Sequence, residues 1–148
     1  MTKFKITAIF CMLLALFSTH SSACTGVRLI AQDGSVVYGR TMEWGTFDLR
    51  SRINIVPVGY TYKGTTPDGK NGKTYATKYG FVGLDMVEKY YISDGMNEKG
   101  LAVGMFYHPG FASYPTYNAA TANNTISSQE LANYILSQFA TIEAVKQG

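Results

Sequence analysis

The amino-acid sequence predicts an α+β domain, a mainly antiparallel sheet with helices packed against it. Between residues 25 and 107, short runs rich in β-branched and aromatic residues are interrupted by Gly, Asn and Asp turns. After Pro115 the apolar residues space out to a helical period behind serine and threonine caps. With 148 residues, 46% of them hydrophobic and 16% charged, the chain can bury a single core.

The elements follow in order. Residues 25–31 form an apolar, β-branched run that ends at the turn Gln32-Asp33-Gly34, and residues 35–44 (SVVYGRTMEW) are the returning strand of a hairpin. A third strand spans residues 52–58, with Pro57 marking a strand end or a sheet edge. Residues 60–73 contain Gly64, Pro67, Asp68, Gly69, Asn71 and Gly72 and read as a long excursion with two turns. Strands are expected again over residues 73–84 and 87–93. Residues 94–100 (DGMNEKG) read as a polar connection, followed by a strand over 101–107. Ser127 and Ser128 precede Leu131, Tyr134, Ile135 and Phe139 at helical spacing, and Thr141 caps a second helix, TIEAVKQ. The sequence stops inside that amphipathic segment, so the expectation is an incomplete chain.

Residues 1–23 have the pattern of a secretory signal. Lys3 and Lys5 precede the apolar run ITAIFCMLLALF, and Ser21 and Ala23 supply small residues at −3 and −1 of a cleavage site. The run is too short for a membrane-spanning helix, which needs about 20 apolar residues. The expected product is therefore exported, to the periplasm or beyond, with no stable membrane insertion after cleavage. Without Lys3 and Lys5 the chain carries 11 basic against 10 acidic side chains, which gives no reason to expect a nucleic acid as partner. The eleven tyrosines lie along strand-like segments without interleaved basic clusters and read as core and sheet-face residues.

Cysteine usage sharpens this picture. Of the two cysteines, Cys11 lies in the leader, and cleavage after Ala23 makes Cys24 the first mature residue. A single thiol in an oxidising compartment has no internal partner, so it is an intermolecular link or a reactive group. Lipid attachment is one use of a processed N-terminal cysteine. It calls for a leucine where Ser21 stands and for a polar tether where TGVRLIA begins a strand. An exported, lipidated ligand-binding module is thus the alternative reading. Nucleophilic catalysis is the other use, and it fits the local sequence better. A free thiol near pKa 8.5 is little ionised at neutral pH, but an α-amine of pKa about 8 on the same residue can take its proton. No histidine is then required; His108, beside Pro109-Gly110, is a weaker candidate base. Arg40 and Glu43 fall on the strand that returns toward Cys24. A cation there favours the thiolate, and a carboxylate can hold the amine. On any strand the same two residues also serve as an ordinary surface pair.

Cys-Thr-Gly at the processed start, GRTMEW, DGMNEKGL and the later PGFASY together resemble the choloylglycine hydrolase family, which includes bile salt hydrolases and penicillin V acylases. The resemblance runs from Cys24 to the last residue. It implies an N-terminal nucleophile hydrolase of linear amides, built as a four-layer αββα sandwich of which this chain would be the N-terminal portion. It also implies no cofactor and no metal, and a small-molecule amide as partner; homo-oligomerisation is left open. Cys24 matches the family's nucleophile and Arg40 its arginine beside the thiol. Glu43 stands where many members have an aspartate that contacts the α-amine. Phe106 or Tyr107 falls at a substrate-pocket asparagine or tyrosine, and Tyr107 is the assignment taken. Asn97 and Gly100 read as turn formers. Members are considerably longer, and the resemblance implies that an oxyanion-hole asparagine and a second arginine lie beyond this sequence. The chain alone is accordingly expected to be inactive.

Overall fold

The structure is a computed structural model that describes residues 24–44, 47–108 and 110–148; the expected leader lies outside the described residues. The chain divides into two bodies, with the boundary between Thr46 and Phe47.

The first body is an antiparallel ribbon of β1 (Gly26–Ile30) and β2 (Val36–Arg40). Its turn is closed by main-chain bonds from Ala31 to Ser35 (2.8 Å) and from Gly34 to Ala31 (3.0 Å). The Asp33 carboxylate accepts from the Ser35 amide at 2.9 Å and from its hydroxyl at 2.7 Å, which fixes the turn locally. β2 ends at Arg40, four residues short of the expected Trp44. Val27, Leu29, Ile30, Val36 and Val37 are all exposed.

The second body holds the core. Its main sheet has the order β3 (Ile53–Val56), β6 (Phe81–Met86), β7 (Tyr91–Asn97), β8 (Ala102–Gly104), each neighbouring pair antiparallel. β4 (Thr61–Thr65) and β5 (Asn71–Ala76) form a separate hairpin. That hairpin corrects two expectations. The glycine-rich excursion over 60–73 is its two strands and their turn, and the single strand expected over 73–84 is broken between Ala76 and Phe81. The polar residues of 61–65 and 71–75 pair through their backbones, which composition does not register. Likewise Asp94–Asn97 belongs to β7, so the connection to β8 is shorter than expected.

Two 3₁₀ turns, Ala119–Asn124 and Ser128–Glu130, lead into α1 (Leu131–Gln138) and then α2 (Ile142–Gln147). The Glu130 carboxylate accepts from the Ser127 amide at 2.7 Å before α1, while the Ser127 hydroxyl, expected as the cap, makes no hydrogen bond; the Thr141 hydroxyl accepts from the Ala144 amide at 3.2 Å, as the sequence predicts. Ala132 and Leu136 of α1 are fully buried on Val56, Phe81 and Ile92. The helix comes this close because residue 95 has no side chain: a Cβ there would stand 2.8 Å from Leu136 Cδ1. Gly95 in DGMNEKGL is thus a packing requirement. Asn133 of α1 accepts from the Ile92 amide and donates to the Tyr90 carbonyl, both at 3.0 Å. The fold is α+β with helix on antiparallel sheet, as the pattern of elements predicts.

Candidate active site

The residues flanking Cys24 are built by the ribbon. Beyond the last β1–β2 pair, Gly26 with Arg40, the Thr41 amide donates to the Thr25 carbonyl at 2.9 Å. The Thr25 amide donates back to the Thr41 hydroxyl at 3.2 Å. Paired residues of a ribbon share a face, so Arg40 lies on the side of Gly26, the first residue of β1, and Cys24 stands two residues before it. The sequence GRTMEW therefore puts Arg40 opposite Gly26, two residues along the chain from Cys24. Arg40 and Cys24 are both half-buried, in a ribbon whose other described residues are mostly exposed. Arg40 Nε donates to the Thr41 carbonyl at 3.3 Å.

Glu43 is exposed and stands three residues beyond the end of β2, where strand alternation no longer assigns a face. The ribbon thus pairs Arg40 with Gly26, two residues from Cys24, and leaves Glu43 on the segment that follows. Tyr107 belongs to the second body. It lies just past β8 and is 69% exposed, beside Phe106 at 47%. His108 packs its ring on Phe111, with centroids 4.7 Å apart. Among the described residues, no group of three or more His, Cys, Asp or Glu side chains is placed to hold a metal ion.

A family model for linear amide C–N hydrolases, choloylglycine hydrolase family, matches residues 24–148. The chain belongs to the choloylglycine hydrolase family. Its match begins at Cys24, the residue that the expected leader cleavage would expose. Among curated relatives, a bile salt hydrolase/transferase of Bifidobacterium longum is 28% identical over 124 residues, which is 84% of this chain and 38% of that protein. A bile salt hydrolase/transferase of Clostridium perfringens is 29% identical over 84% of this chain and 36% of its own length. An uncharacterized protein of Paramecium bursaria Chlorella virus 1 is 32% identical over 83% of this chain and 35% of its own. The chain therefore spans between a third and two fifths of these relatives' lengths.

Several supporting side chains were not singled out from the sequence. Asp85 is fully buried and takes three bonds from Arg52: backbone N at 2.8 Å, Nε at 3.0 Å and Nη2 at 2.7 Å. Burial pushes its carboxyl upward, but the Arg52 hydrogen bonds outweigh that and hold it below the usual carboxylate range. A signal was present: in FVGLDM, Asp85 shares the alternation of Phe81 and Gly83, so an acid occupies a core-facing position. Asn97 also does more than form a turn. Its Oδ1 accepts from the amides of Lys99 and Leu101, both at 3.0 Å, and its Nδ2 donates to the carbonyls of Leu136 (2.9 Å) and Phe139 (2.7 Å). Asn97 thereby joins the end of β7 to the C-terminus of α1.

Proposed function

We propose that this chain carries the nucleophile of an exported hydrolase that cleaves a linear amide bond in a small acylated molecule. Residues 1–23 would be removed as a signal, and Cys24 would become the N-terminal residue. Its thiol loses a proton to its own α-amine, and the thiolate attacks the amide carbonyl. The amine's proton passes to the leaving nitrogen as the C–N bond breaks, which leaves a thioester on Cys24. Water, deprotonated by the same amine, then hydrolyses the thioester and releases the acid. Arg40 would favour the thiolate and Glu43 would hold the amine; Tyr107 would touch substrate.

The observation that carries this reading is the coincidence of three boundaries at Cys24. The signal pattern ends one residue before it, the family match starts on it, and β1 begins two residues after it, its first residue paired with Arg40. Conjugated bile salts are the first substrates to test, since two of the relatives are named for them. Penicillin V and acyl-homoserine lactones complete the panel. The test is release of the free amine from each compound by the gene-encoded, exported protein, with Cys24→Ala as control. Hydrolysis of at least one amide that vanishes in Cys24→Ala supports the reading. Mass spectrometry showing a diacylglycerol on Cys24 would replace it with the lipoprotein alternative.

A further inference from the structure

We infer that a cavity lined by β3, β4 and the start of β7 binds an uncharged, single-ring aromatic molecule. The cavity measures about 150 Å³, a volume that takes up one benzene ring. Val56 and Ile92, both buried, line it together with the rings of Tyr60, Tyr62 and Tyr90. Tyr62 stacks on Tyr75 with centroids 5.4 Å apart and meets Tyr60 edge-on at 4.9 Å. Tyr90 is held differently. Its backbone takes φ +58°, a conformation that side chains other than Asn and Asp seldom adopt. Asn133 Nδ2 donates to its carbonyl at 3.0 Å, and the Arg52 guanidinium lies 4.8 Å from the centre of its ring. Yet Tyr90 is 62% exposed, so burial does not account for a position that costs backbone strain. Strain of this kind persists where the surroundings over-determine it, and it collects at ligand clamps. The lining then selects the ligand. Among the described residues that line the cavity none is charged, and the Asn54 amide already donates to the Arg52 carbonyl at 3.2 Å, so an anion finds no counter-charge. Arg52, bound to Asp85 and set against the Tyr90 ring, disfavours a cation there. Three tyrosine rings favour a fourth aromatic ring through stacked and edge-on contacts.

The test titrates the gene-encoded, exported protein with phenol, cyclohexanol and benzoate by calorimetry, and repeats the phenol titration on Tyr90→Gly and Tyr60→Ala. Glycine adopts a positive φ freely, so Tyr90→Gly removes the ring and spares the turn; Tyr60 is half exposed, and thermal melts show that each variant is folded. Phenol should saturate a single site in the millimolar range, as expected of so small a ligand. Cyclohexanol, which has the size without the aromatic ring, and benzoate, which has the ring and a charge, should each bind about tenfold more weakly or worse. Each variant should weaken phenol about two- to tenfold, the range an aromatic pair's strength converts to. Absence of saturation with phenol overturns the site. Cyclohexanol or benzoate binding as tightly as phenol overturns the ligand class. Unchanged phenol affinity in both folded variants puts the binding elsewhere and overturns the proposal as well.

Discussion

The proposed role of Cys24 asks one residue to be both nucleophile and base, and it is read from a lone cysteine behind a segment with the pattern of a cleavable leader. The hairpin that brings Arg40 opposite Gly26 was legible, because the turn at Asp33-Gly34 lies between two apolar, β-branched runs. Glu43 was less so, since the strand stops before reaching it. Two residue-scale outcomes are expected. Cys24→Ser raises the nucleophile's pKa by several units, so turnover should fall by orders of magnitude, and Cys24→Ala should abolish it. Glu43→Gln removes a charge while nearly keeping shape. If that charge steadies the protonated amine, the acid limb of the pH–rate profile should move to lower pH, because the neutral amine is the working base. Superimposable profiles would remove Glu43 from the site and leave it a surface residue.

Elements explain where sequence reading succeeded and where it fell short. The helix starts were legible because Glu130 and Thr141 cap them through local bonds to the Ser127 and Ala144 amides. The β4–β5 hairpin was not, because its pairing is carried by backbone groups of polar residues whose side chains announce a loop. The Arg52–Asp85 pair ties the segment before β3 to β6 and gives a pH signature. The folded-state pKa of Asp85 lies below its unfolded value near 4. Its contribution is therefore complete above about pH 4 and is lost as pH falls through the folded value. Thermal unfolding of the wild type should become steeply less stable in that window, and Asp85→Asn should flatten the dependence while lowering stability at neutral pH. Equal pH slopes in the two proteins would show that Asp85 is not linked to folding. Gly95 makes a second test. Gly95→Val forces a side chain against Leu136 and should cost about 1–3 kcal/mol in chemical denaturation. A change below that range would mean that both α1 and the Val82 carbonyl, 2.7 Å from the added Cβ, give way freely.

Across the whole molecule, the α+β class followed from the order of strand and helix signals, whereas the division at Thr46 and Phe47 left no mark in composition. One face of the main sheet remains apolar and open: Ile53 and Ile55 of β3 are 73% and 81% exposed, beside Leu84 and Val82 of β6 and Met96 of β7. A contiguous exposed apolar face on a monomer promotes association. The 148-residue chain should accordingly bind an apolar fluorescent dye, and Ile55→Lys should reduce that binding without lowering the unfolding temperature. Unchanged dye binding would place the apolar surface elsewhere. The central claim, that cleavage exposes a nucleophilic Cys24, has a more direct test. The gene-encoded, exported protein is mixed with excess substrate, quenched in acid during turnover and mapped by peptide mass spectrometry. The account predicts a first peptide beginning at Cys24, with a free α-amine and the substrate's acyl group on the thiol. A retained Ala23, a blocked amine, or the acyl group on another residue would contradict it.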